Sequence, residues 1–174
     1  MLAATACCAQ AAPDAQFVPA FQSFLRASEG QDAALASALA GFEALSRAEP
    51  ASPVLLAYRG AATAMQARST YLPWRKMAYA EDGLALLDKA LAMLQPAHDA
   101  PGQQQVPAVL DVKLVAANTF LALPAMMNRR DRGVKLLGEV ARSPLLPSAP
   151  PAFQETVRKA LDKARLMPDG RPRT

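Results

Sequence analysis

Most of the chain's fifteen prolines stand between segments whose apolar residues recur at three- and four-residue intervals. That alternation restricts the chain to short helices joined by tight connections. A proline inside a helix removes a hydrogen bond and clashes with the preceding turn, so prolines spaced this way act as boundaries. The residues between them are rich in Ala and Leu and poor in β-branched types, a bias toward helix, and no sheet is expected.

Seven helical segments follow from the spacing. The first, about 14–27, places Phe17, Val18, Phe21, Phe24 and Leu25 on one stripe that must be buried. Asp32 is expected to cap the second, whose inner side is Ala38, Phe42 and Leu45. The third runs over 53–68 and the fourth over 74–94, with Leu84, Leu87, Leu91 and Leu94 at helical intervals. The polar stretch 97–105 reads as an exposed loop. Helices at 107–123 and 129–142 precede an extended, proline-rich connection at 143–151. The seventh segment, 152–166, carries Phe153, Val157, Leu161 and Ala164 on one side.

These boundaries give one domain over 14–166, long enough to bury a core without staples, and a basic tail without regular structure at 167–174. Residues 1–13 are apolar, and Ala9-Gln10-Ala11 is the small-x-small pattern that signal peptidase accepts before Ala12. They read as a partial signal peptide, without a basic leading part, and point to an exported, periplasmic bacterial protein. If they are not a signal, the protein is cytoplasmic. Both cysteines, Cys7 and Cys8, fall in this stretch, so cleavage leaves no thiol; a weaker pattern, Ala4-Thr5-Ala6-Cys7, offers Cys7 as a lipid anchor. No further Cys or His stands at metal-ligand spacing.

Net charge is +4, and the basic residues are dispersed among acids apart from Arg129-Arg130-Asp131-Arg132 and the C-terminal tail. This reads as a solvated surface and does not suggest nucleic-acid binding. The longest uncharged stretch past residue 14, 114–128, contains Asn118 and Pro124 and is too short to span a bilayer.

Two pairs of segments repeat. Gly83-Leu84-Ala85-Leu86-Leu87-Asp88 resembles Gly133-Val134-Lys135-Leu136-Leu137-Gly138, and Val54-Leu55 with Ala61-Ala62 resembles Val109-Leu110 with Ala116-Ala117. The matching order suggests a duplicated helical hairpin. Ala38, Phe42, Leu45, Pro50 and Gly60 stand in the register of the tetratricopeptide repeat: small, large and small residues in a second helix, then proline, then glycine in the next first helix. Gly83, Leu87, Ala90 and Pro96 repeat the second-helix part, as do Gly133, Leu137, Val140 and Pro144 more loosely.

Over 31–144 the chain therefore resembles a tetratricopeptide-type (TPR-like) helical repeat protein. The interval from Gly60 to Gly83 is longer than the family's, and the first-helix Trp and Tyr positions are unfilled. The resemblance implies an all-α, TPR-like stack of three helical hairpins plus a C-terminal capping helix, and a scaffolding role by analogy.

Catalytic patterns are scarce. His98 is the only histidine and lies in the polar loop; there is no phosphate-binding glycine loop, and no cofactor is implied. Glu81-Asp82, Asp88 and Asp111 read as solvated or capping carboxylates, and an enzyme built on Lys76, Glu81 and Asp82 needs a pocket that gathers them. The six methionines after Met1 read as core filler.

The distinctive local feature is the turn 69–76, which sets Tyr71, Trp74, Arg75 and Lys76 together. Tyr, Trp and Arg are the residue types that concentrate interface energy. Tyr58, Arg59 and Arg68 precede the turn and extend the same candidate surface, unless Leu72 and Trp74 fold back onto the bundle. Asn118, polar in an apolar segment, either bonds a neighbouring helix or faces a groove.

The expected function is a non-enzymatic extracytoplasmic adaptor that binds a protein or peptide, such as a component of an envelope or transport system. The alternative is an apolar small-molecule or lipid carrier with a cavity between hairpins.

Overall fold

A computed structural model describes residues 14–165 of the chain, with the side chains of the two end residues left aside. Residues 1–13 and 166–174 lie outside it, and with them the expected signal, the Cys7 anchor and the basic tail. Among the described residues the fold is all-helical, without strands. Its seven α-helices are α1 (Asp14–Ser28), α2 (Leu35–Ala48), α3 (Pro53–Met65), α4 (Pro73–Ala92), α5 (Ala108–Ala122), α6 (Arg130–Ala141) and α7 (Pro151–Arg165).

Prolines act as expected. Pro53, Pro73 and Pro151 open helices at positions whose N–H groups have no partner within the helix. The Ser52 hydroxyl caps α3 by accepting the Leu55 N–H at 3.4 Å. Asp32 does not cap α2; it begins a single 3-10 turn, Asp32–Ala34, that leads into the helix.

Helices pack in sequential pairs, α1 on α2, α3 on α4 and α5 on α6, while α3 also meets α2 and α5 and so occupies the centre. Small residues close each pair. A Cβ on Gly41 would stand 2.7 Å from the Ala20 Cβ; one on Gly83 would stand 2.6 Å from both the Gly60 carbonyl oxygen and the Ala64 nitrogen; one on Gly133 would stand 3.2 Å from the Ala117 carbonyl oxygen. Backbones therefore approach directly, and large side chains fill the space beside each crossing.

Between α1, α2 and α3 that filling is aromatic. Phe42 stacks on Tyr58 at 5.0 Å between centroids, and Phe17 and Phe24 meet Tyr58 edge-on at 5.6 and 5.1 Å.

Three expectations about surface and core are corrected. Leu25 is exposed, because the buried side of α1 runs through Phe17, Ala20, Phe24 and Ala27. The stretch 97–105 is structured: His98 Nδ1 accepts the Gln95 N–H at 2.8 Å, Pro101 bridges Pro107, and Gln103 is buried. The 143–151 connection holds a 3-10 turn, Leu146–Ser148, and buries Ala149.

Candidate partner-binding surface

The site begins where α4 outruns its partner. α3 has 13 residues and α4 has 20, and Gly83 faces Gly60 and Ala64 near the end of α3. The N-terminal part of α4 therefore passes the end of α3, and residues 71–78 are all exposed. This overhang accounts for the long interval between Gly60 and Gly83.

The turn before it is ordered by local bonds. The Ser69 N–H donates to the Gln66 carbonyl at 3.0 Å, the Leu72 N–H to the Thr70 hydroxyl at 3.3 Å, and the Lys76 N–H to the Leu72 carbonyl at 3.0 Å.

Tyr71 is 97% exposed and Trp74 67%, with Leu72 and Met77 also open, so these side chains do not fold back onto the bundle. Large apolar groups are normally withdrawn from water, and a run of them on one helix end marks an interaction site. Beyond Met77 the same helix forms one wall of an open groove of about 560 Å³. Met77, Glu81, Leu84, Ala85 and Asp88 line it from α4; Met126, Met127 and Arg129 line it from the connection between α5 and α6.

That connection is held in place by charge. Asp88 accepts from Arg129 at 3.1 Å and also pairs with Arg132, and both guanidinium groups lie over the Phe120 ring, 5.8 and 5.3 Å from its centre. The basic run is thus partly spent on tying α6 to α4 and α5. Met126, 77% exposed, is left at the groove's edge. Flexible thioethers adapt to varied apolar partners, so Met77 and Met126 belong to this surface and not to the core, contrary to expectation.

The eight sequence-derived candidates separate. Tyr71, Trp74, Arg75 and Lys76 come together on the exposed start of α4. Tyr58 is buried and cannot reach a partner; its hydroxyl donates to Asp111 Oδ1 at 2.8 Å. Arg59 ties α3 to α2, donating to the Ser46 hydroxyl at 3.4 Å and lying 3.8 Å from Glu43. Arg68 donates to the Ala27 carbonyl at 2.8 Å, where a cation suits the C-terminal end of α1. Asn118 is exposed on α5, so the buried-amide reading fails, and it is not one of the residues lining the groove. Sequence reasoning missed the wall across from α4, because nothing local to 126–129 says that it faces 77–88.

Asp111 is likewise buried, not solvated. Burial raises its carboxyl to about 6, against the opposing pull of the Tyr58 hydrogen bond. Burial also raises the Tyr58 hydroxyl well above its ordinary value, and the neighbouring carboxylate adds to the effect. This pair joins α3 to α5 inside the core and opens to no groove. Lys76, Glu81 and Asp82 are all exposed and, at about 100° per residue, fan out around α4, so no pocket gathers them.

Among the described residues no group of three or more His, Cys, Asp or Glu side chains is arranged to hold a metal, and no helix is long and apolar enough to cross a membrane. No protein-family model matches this chain, and no curated protein or solved structure matches it either.

Proposed function

We propose that this chain is a non-enzymatic adaptor that binds a protein or peptide, with the overhanging start of α4 and the adjoining groove as its docking surface. The observation that carries the reading is the continuity of exposed Tyr71, Leu72, Trp74 and Met77 with a groove whose far side ends in exposed Met126. Aromatic anchors beside adaptable methionines suit the apolar face of a helix or an extended segment, and the groove's openness favours such a partner over an engulfed small ligand.

The sequential helix pairs and their glycine-closed crossings support a TPR-like stack of three hairpins with α7 as a cap. Residues 1–13 support export, and we place the adaptor outside the cytoplasm, serving an envelope or transport system. The test replaces Trp74 with a photo-crosslinking aromatic amino acid in the intact chain and compares it with the same probe at exposed Lys159 on α7. Crosslinked species specific to position 74 and lost in Tyr71→Ala are expected; equal labelling at both positions would overturn the assignment.

A further inference from the structure

Resting on the reading of the α4 overhang as a docking surface, we propose that a second copy of this chain docks there, with the two α4 helices packed antiparallel. At about 100° per residue, Tyr71, Trp74, Ala78 and Ala85 fall within roughly 60° of arc on the side of α4 away from the core. All four are exposed. They recur as the seam of a heptad does, two large rings followed by two small residues.

A twofold axis near residues 78 and 79 sets the large residues of one copy against the small ones of the other. Trp74 then covers Ala85 of the second copy, and the two Ala78 residues allow close approach at the centre.

Charge selects this arrangement. Arg75 and Asp82 are both exposed and lie on the same flank of the seam, seven residues apart. Antiparallel pairing brings like flanks together, so Arg75 of each copy meets Asp82 of the other and two salt bridges form by symmetry. A parallel pair sets that flank against the opposite one and makes neither. The surface is thus complementary to itself in one orientation.

The four aromatic rings alone contribute about 600 Å² if each buries about 150 Å². With Leu72, Met77 and the arginine stems the contact reaches the lower limit for a specific interface. The dimer is therefore weak and concentration-dependent, and it covers the surface that another partner would use.

The test is sedimentation equilibrium of the full chain and its variants from micromolar to millimolar concentration, with circular dichroism confirming that each variant folds. Arg75→Asp and Asp82→Arg each replace two attractive pairs with two repulsive ones and should weaken self-association about tenfold. Mixing the two variants should restore dimers, because one copy is then acidic and the other basic along the flank. The double variant Arg75→Asp/Asp82→Arg should also dimerise. A monomer at millimolar concentration, or charge reversals without effect, would overturn the proposal. Persistence of position-74 crosslinks to a different protein in those monomers would leave the adaptor reading standing; their loss as well would remove both.

Discussion

Replacing Asp111 by Asn isolates what a buried carboxylate does to this fold. Asp111 is about as deeply buried as the leucines around it, and its carboxyl titrates near 6 in the folded chain against 3.8 when solvated. Below pH 4 both states hold the proton and no penalty applies. Between pH 4 and 6 the folded state keeps a proton that the unfolded state has released, so stability falls as pH rises.

Above pH 6 the charge is carried in the core. Two pKa units at about 1.36 kcal/mol each set that cost on the order of 3 kcal/mol. The asparagine carbonyl accepts the Tyr58 hydroxyl as the carboxylate does but never ionises. Its new NH2 group needs an acceptor and costs about 1–3 kcal/mol if it finds none, an offset that does not vary with pH.

The quantity to measure is therefore the difference between variant and parent in urea-unfolding free energy, followed from pH 4 to pH 7. It should move in the variant's favour by on the order of 3 kcal/mol, or roughly 6–10 °C in Tm. Titrations elsewhere in the chain cancel in the difference. A flat difference would mean that Asp111 stays charged at no cost, and would refute the argument from burial.

Other consequences follow from the same geometry. Tyr58→Phe removes the hydrogen bond to that carboxylate and should cost about 1.5–3 kcal/mol at pH 7 and less at pH 4, as read by paired denaturation curves. Gly83→Ala drives a methyl into the α3 backbone and should lose about 1–3 kcal/mol despite better helix propensity; Gly138→Ala meets only the mobile end of Arg142 and should be neutral or gain up to about 1 kcal/mol, both seen by calorimetry. Trp74→Ala should leave Tm within a degree or two, because the ring is mostly in water, while abolishing position-specific partner capture. If the opening segment is a cleaved signal, intact-mass measurement of the secreted chain should find an N-terminus at Ala12.

Helix number and helix order were legible because proline position and apolar period are local properties, and each helix obeys them independently of its neighbours. The same locality made Tyr71, Trp74, Arg75 and Lys76 visible as a cluster, since one short segment holds all four. Tyr58 and Asp111, 53 residues apart, gave no such sign; a tyrosine near a basic turn resembles a surface residue until the helix carrying it is placed in the centre. Met126 and Met127 looked like core for the complementary reason, that an apolar side chain is buried only if another element arrives to cover it.

The sequence by itself determined seven helices, their order, and a segment dense in interface residues. Tertiary structure decided which face of each helix meets water. Helical period defines an apolar stripe but not its partner, and the partner depends on where backbones can approach. Gly60 and Gly83 settle that between α3 and α4: their crossing near the end of α3 leaves the start of α4 with no helix beneath it, and the residues exposed there are the ones a second protein would meet.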